Sequence, residues 1–378
     1  MKQKKKILAI SHTFVKKINL SFYEELAKTD KFQVSCIVPK KIYQFNKYVF
    51  PDFKKYDGKI KLIRSKLINS STRFQYFKEI ENILNLEKPD IIIVDNDTIS
   101  VQSFIIIFYS FFNNFKIFYF CNENNIINIF KKFKLKKLLK FLILISLNYL
   151  IRFKVNKIFC YSKQIKKNYD FLGYKNKTFV LPLGFDQKIF NLNGKKQKHK
   201  KKNIIISYFG RISPEKGPHV IVEALKKIKN LDWKLLLDID QIENNQYYMK
   251  IREELKKNFI SSRYNYIKCD HYEIAKFMKK SDLVVIPSLH EEQYGRVIQE
   301  SVACGNIVLG SNIGAIPEII KDKSLLFNPG DAKALSKIIV KMYNKSFFHE
   351  KFKKLYILIL KERTILRQVN LFIKYFKN

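Results

Sequence analysis

The stretch DLVVIPS, residues 282–288, followed by HEEQYGRVIQESVACG, residues 290–305, decides the fold. An apolar run that stops at Pro287 and Ser288 is a parallel strand covered on both faces, because such strands are continuously hydrophobic rather than alternating. From Gly295 onward, Val297, Ile298, Val302 and Ala303 fall at helical spacing. Strand, glycine-containing turn and helix make one βα unit of an open α/β sheet, whose ligands bind beyond the carboxyl ends of the strands. Glu292 therefore stands on the ligand-facing loop, and Glu300 faces the same cleft from inside the helix. A carboxylate accepts two hydroxyl hydrogen bonds at once, which suits a vicinal diol on a ribose or hexose. The first helical turn, at Tyr294, Gly295 and Arg296, offers backbone N–H groups and a positive dipole end to a diphosphate.

Outward from this unit the same rhythm repeats. Short β-rich runs at Ile7–Ile10, Val34–Val38, Ile91–Val94 and Lys116–Phe120 alternate with helical patterns, and NIIISYFG, WKLLLDI, YIKC and NIVLGS repeat the alternation in the second half. A chain of 378 residues exceeds one ordinary core. Two doubly wound, Rossmann-like domains facing across a cleft are the α/β architecture this predicts. The basic stretch GKKQKHKKK, Gly194–Lys202, is taken as a solvated interdomain linker.

Four stretches carry a family resemblance. A glutamate, seven residues and a second glutamate precede VLGSNIGAIPEII; YFGRISPEKGPHVIVEALKKI carries Gly210, Arg211, Lys216 and Gly217; TFVLPLGFDQKIF carries Gly184, Asp186 and Phe190; and KKKILAISHTF opens the chain. With LFNPGDAKALSKII, these resemble the retaining glycosyltransferases of family 4, also called glycosyl transferases group 1, which have the GT-B fold. The resemblance implies an acceptor-binding domain over residues 1–185, a nucleotide-sugar domain over 186–350, and a C-terminal helix over 351–378, around Phe352–Phe376, that crosses back to the first domain. It implies that Arg211 and Lys216 stabilise the departing diphosphate, that Glu300 holds the ribose diol, and that Glu292 holds a hydroxyl of the donor sugar. Gly314 lets the backbone approach the ligand, and Asp270 and His271 wall the base. The implied co-substrate is a UDP- or GDP-linked sugar, with no separate cofactor and no metal. Asp95 and Asp97 come nearest to a metal-binding DxD pair but belong to the first domain.

Two departures stand out. Where many members have a Gly-Gly loop after the first strand, this chain has SHTFVKKINLSFYEELAK, so His12 shapes the acceptor side together with Asn122 and Glu123. DIDQIE, Asp238–Glu243, stands where the family often has a glycine-rich turn.

Composition bounds the partners. The formal charge of +39 comes with abundant Lys, Ile, Asn and Phe, the mixture that codon bias in an AT-rich genome produces. A field of that sign attracts nucleic acid or an anionic leaflet, but no helix-turn-helix, zinc-finger or RRM signature supports specific nucleic-acid recognition. Lysines at 131, 132, 134, 136, 137 and 140, interleaved with Phe130, Phe133, Leu135, Leu138 and Leu139, suit either an interfacial amphipathic helix or a core-facing helix with a basic outer face. The apolar part at 141–147 is too short to span a bilayer. Five scattered cysteines support neither zinc nor disulfides. The N-terminus lacks an apolar signal core, so a cytoplasmic protein, peripheral on the inner membrane face, is expected. The resulting expectation is a retaining hexosyltransferase to a surface glycan, lipopolysaccharide, exopolysaccharide or glycolipid hydroxyl. Transfer to a small soluble acceptor and a non-catalytic basic binding protein are the alternatives.

Overall fold

A computed structural model describes residues 3–44, 47–53, 55–69, 73–121, 146, 148–149, 151–194, 203–240, 242, 244–269 and 273–377. The chain divides into two compact units, Met1–Gly184 with Ile365–Asn378, and Phe185–Thr364. The boundary precedes the basic stretch expected to be the linker, whose residues 195–202 lie outside the described residues.

The first unit is built on a seven-stranded sheet. Its strands are β1 (Lys5–Ile10), β2 (Phe32–Pro39), β3 (Lys61–Ser65), β4 (Ile91–Val94), β5 (Lys116–Cys121), β6 (Val155–Cys160) and β7 (Thr178–Val180). They lie in the order β7-β6-β5-β4-β1-β2-β3, and every pairing is parallel. The order reverses between β1 and β4, where Ile7 pairs with Ile91 and Ile10 with Val94. All four residues of β4 are buried, as an all-parallel sheet with both faces covered requires.

The second unit holds six strands: β8 (Ile204–Tyr208), β9 (Trp233–Asp238), β10 (Tyr264–Ile267), β11 (Leu283–Ile286), β12 (Ile307–Ser311) and β13 (Leu326–Phe327). The order β10-β9-β8-β11-β12-β13 is also parallel throughout and reverses between β8 and β11.

The end of the chain, expected as one helix, is two. The helix Lys345–Glu362 belongs to the second unit and begins where the Asn344 side chain accepts from the Phe347 N–H. The chain then passes through Arg363 and Thr364, where the Phe185 N–H donates to the Arg363 carbonyl at 2.9 Å, and re-enters the first unit as the helix Ile365–Lys377. Val369, Phe372 and Phe376 fall on one face of that helix at spacings of three and four. Phe118 and Phe120 lie two residues apart on one face of β5, and Phe159 pairs with Phe120 across to β6. The fully buried ring of Phe372 meets Phe159, Phe22, Phe120, Phe32 and Phe118, with centroids 5.1–6.4 Å away. These five neighbours meet it at tilted or edge-on angles, while Phe376 stacks on it at 6.4 Å, arrangements that the ring quadrupoles favour.

Truncating Phe372 to alanine is therefore expected to destabilise the first unit by about 3–5 kcal/mol. A urea titration monitored by circular dichroism checks this, with the partly exposed Phe376→Ala expected to cost clearly less.

Candidate active site

In the second unit the loops leaving β8 and β11 flank the point where strand order reverses, the place where an open α/β sheet binds ligands. The first, Phe209–Gly217, carries Gly210, Arg211 and Lys216 and closes with a single turn at Pro214–Lys216. Gly217 has φ +68°, and a Cβ there would lie 2.2 Å from the Pro287 carbonyl oxygen. Only glycine lets this loop seat on the end of β11. The seat is held by the Leu289 N–H, which donates to the Glu215 carbonyl at 2.8 Å, with His290 Nδ1 3.2 Å from the same oxygen. On the near side, the Tyr208 hydroxyl donates to the Arg211 carbonyl at 2.6 Å, which fixes the backbone from which that guanidinium projects.

The seating brings together two charges far apart in sequence. Lys216 Nζ lies 2.7 Å from Glu292 Oε1, with side chains only 17% and 16% exposed. The Ser288 hydroxyl donates to the same oxygen at 2.5 Å. Burial pushes the Glu292 carboxyl up, but the charge and hydrogen bond of Lys216, with help from Ser288, outweigh it and leave the group below its ordinary value. Glu292 is thus an anion held between a cation and a hydroxyl.

A third loop, after β12, closes on Glu292 from the other side. Gly314 has φ +59°, and a Cβ there would come 2.5 Å from the Glu292 nitrogen; the Ala315 N–H donates to the Glu292 carbonyl at 2.9 Å. Gly295, also left-handed, caps the helix Arg296–Ala303, so the first turn begins at Arg296, and Tyr294 and Gly295 lead into it. Within that helix Glu300 is buried. Burial pushes its carboxyl up to about 8, and the Arg296 charge opposes the shift only in part. At neutral pH the ligand-free side chain is mainly protonated.

Among residues not singled out as site residues, Ser288 holds Glu292, and Glu215 and His290 tie the loops. Asp238, at the carboxyl end of β9, is pushed up to about 6, chiefly by burial, and its Oδ1 accepts from the Asp240 N–H at 3.0 Å. A charged residue directly after the apolar LLL of a buried strand was the available signal. Of the expected walls of the base, Asp270 and His271 lie outside the described residues.

In the first unit His12 sits in a short turn at the end of β1, by the reversal between β1 and β4. It lines a small cavity with Gln75, Asp95, Asn96 and Gln102. Burial lowers its ionisation to about 4, so the imidazole is neutral. Asp97, half of the nearest DxD pair, is buried, with Arg73 Nε 3.7 Å from one oxygen and the Tyr169 hydroxyl donating to the other at 3.4 Å. Asn122 and Glu123 lie outside the described residues. Among the described residues no group of three or more His, Cys, Asp or Glu is gathered for a metal ion. The five cysteines are buried free thiols.

Two parallel α/β sheets, each with a reversal of strand order, define the GT-B class. The Anabaena protein HepE, solved with UDP and glucose, superposes with a TM-score of 0.71 at 16% identity, covering 99% of this chain and all of that one. Residues 190–355, within the second unit, match the family model described as Glycosyl transferases group 1, in agreement with the resemblance read from the motifs. An uncharacterized glycosyltransferase of Methanocaldococcus jannaschii is 28% identical over half of each chain. The lipopolysaccharide 1,2-N-acetylglucosaminetransferase of Salmonella typhimurium is 28% identical over 38% of this chain and 40% of its own length. The chain thus spans about half the length of these relatives or less.

The Gly217→Ala variant is expected to lose about 2–4 kcal/mol, since strain at positive φ adds to a backbone clash, and thermal melting checks it. Glu300 gives a pH test. Between its unfolded value near 4.5 and its folded value near 8, the native state holds a proton that the unfolded state has lost. Stability from this group is complete below pH 4.5 and drains as pH rises through 8. Glu300→Gln should therefore raise the melting temperature at pH 8.5 and leave it nearly unchanged at pH 5. An equal shift at both pH values would contradict the assignment.

Proposed function

We propose that the protein is a retaining, metal-independent glycosyltransferase that moves a hexose from a UDP- or GDP-linked sugar to a hydroxyl of a surface glycan, lipopolysaccharide, exopolysaccharide or glycolipid, working at the inner face of a membrane. The observation that carries the reading is the Lys216–Glu292 pair, held at the strand-order reversal by three interlocked loops. An ammonium has three donors, so Lys216 can keep Glu292 and still give a hydrogen bond to a phosphate oxygen. Arg211 adds a planar fork of donors, and the N-terminal approach of the helix Arg296–Ala303 adds backbone N–H groups.

As the bond from the anomeric carbon to the diphosphate breaks, charge collects on the leaving oxygen. Fixed cations and donors placed there beforehand stabilise that charge without reorganising. The acceptor hydroxyl attacks from the face that the diphosphate leaves and gives its proton to the departing phosphate oxygen, so the new C–O bond replaces the old one with configuration retained. Glu292, kept ionised, accepts from a hydroxyl of the donor sugar. Glu300 accepts from the ribose diol and loses its proton in doing so, because hydroxyl donors favour the carboxylate. His12, neutral at the end of β1, serves the acceptor side as a hydrogen-bonding group rather than as a cation. The Salmonella relative's lipopolysaccharide substrate supports the choice of acceptor class, and the UDP in HepE supports the choice of donor.

Calorimetric titration with UDP, GDP, ADP and their sugars tests the proposal. One nucleotide should bind saturably, Lys216→Ala should weaken it by about 10–100-fold, and binding at pH 7 should release close to one proton, read from buffers of different ionisation enthalpy. In Glu300→Gln the release should vanish. A folded protein that binds none of these nucleotides would overturn the reading.

A further inference from the structure

The described part of the first unit leaves five large aromatic rings in water at one place. Phe108, Phe111 and Phe112 lie at and just beyond the end of the helix Val101–Tyr109, and Tyr149 and Phe153 lie shortly before β6; all five are between 53% and 73% exposed. Phe108 meets Phe112 edge-on at 5.3 Å, and Tyr149 meets Phe153 edge-on at 5.1 Å. Lys154 joins the two groups. Its ammonium stands 4.1 Å from the centre of the Phe111 ring and donates to the Ser110 carbonyl at 3.3 Å. Arg152 lies 4.9 Å from the centre of the Tyr149 ring. A contiguous exposed aromatic patch of this kind marks an interaction surface.

Charge decides the occupant. Lys177 donates to the Arg152 and Val155 carbonyls beside the patch, at 2.6 Å each, and the Arg152 charge adds to burial in making Lys177 easier to deprotonate. Two carboxylates border this edge: Asp90 is paired with Lys5 and accepts from the Lys6 N–H, and Glu81 accepts from the hydroxyl of Tyr109, whose ring meets Phe108 at 5.6 Å; the cations Lys154, Arg152 and Lys177 outnumber them. A second copy docked here would bring lysine and arginine against lysine and arginine, and protein interfaces are poor in lysine at their centres. An anionic bilayer reverses both objections, since aromatic rings settle at headgroup level while lysines meet lipid phosphates.

We propose that Phe108, Phe111, Phe112, Tyr149 and Phe153, with Lys154 and Arg152, form an anchor that seats the first unit on an anionic membrane surface. This deepens the membrane-face reading above and rests on it. The patch lies where β5 and β6 begin, the sheet edge opposite the one that carries His12. The anchor therefore leaves the acceptor side open.

The test is co-sedimentation of the full chain with vesicles of phosphatidylcholine alone and with phosphatidylglycerol added, for the wild type and for Phe108→Ser/Phe111→Ser/Phe112→Ser. These rings already face water, so the variant should keep its melting temperature and its nucleotide titration. The wild type should bind the anionic vesicles, less so in high salt, and the variant should lose at least about tenfold in affinity. Lys154→Glu should weaken binding to anionic vesicles alone. A triple variant that sediments like the wild type, or a wild type that ignores anionic vesicles, would overturn the anchor. So would a dimer in gel filtration that the triple variant abolishes, since that outcome gives the patch to a second copy. Nucleotide binding without vesicle binding defeats the anchor alone; vesicle binding that needs the three rings without nucleotide binding keeps the anchor and defeats the transferase reading.

Discussion

Parallel strands must be returned to their starting edge by a crossover, so every loop that leaves a carboxyl end falls on the same edge of the sheet. Where strand order reverses, two such loops diverge and leave a crevice between them. Everything chemical in the second unit follows from how that crevice is filled. The loop after β8 seats on the end of β11 because Gly217 has no Cβ to meet the Pro287 carbonyl, and the loop after β12 seats on Glu292 because Gly314 has none either. Lys216 and Glu292, which no local element could bring together, meet as a result.

The crevice is electrostatically unbalanced in a way that a purely structural site would avoid. Glu292 is kept ionised by a neighbouring cation, whereas Glu300, deep in its helix, is kept protonated by burial. Two carboxyls in one βα unit therefore sit in opposite charge states at neutral pH. A buried ionisable group within a helix costs stability that an apolar residue would not. Such a cost is common where a site, rather than a core, sets the choice of residue.

Much of this was legible in the sequence because it depends on local pattern. Strands such as Ile91–Val94 and Leu283–Ile286 are short, apolar and bounded by turn residues, and the glutamate pair, the Gly210–Gly217 turn and Gly314 sit at fixed offsets from them. The unread parts depend on partners remote in sequence. Strand β6, Val155–Cys160, has Asn156 and Lys157 side by side in its first half, so its sequence pattern is weak and its strand character rests on pairing with β5. The break at Arg363–Thr364 that splits the last helix is unmarked by glycine or proline, and it forms where Phe185 pairs with that segment. The Lys216–Glu292 contact was invisible for the same reason, although each residue was singled out alone.

The helix Ile365–Lys377 has a consequence in time. It completes the core of the first unit, yet it leaves the ribosome after all of Phe185–Thr364. At roughly 5–20 residues per second, the cavity awaiting Phe372 stays unfilled for on the order of ten to forty seconds after the rest of that unit has emerged. During that interval Phe22, Phe118, Phe120 and Phe159 have no ring to cover them. The nascent chain is then a client for any factor that shields exposed aromatics, and it finishes its first half last.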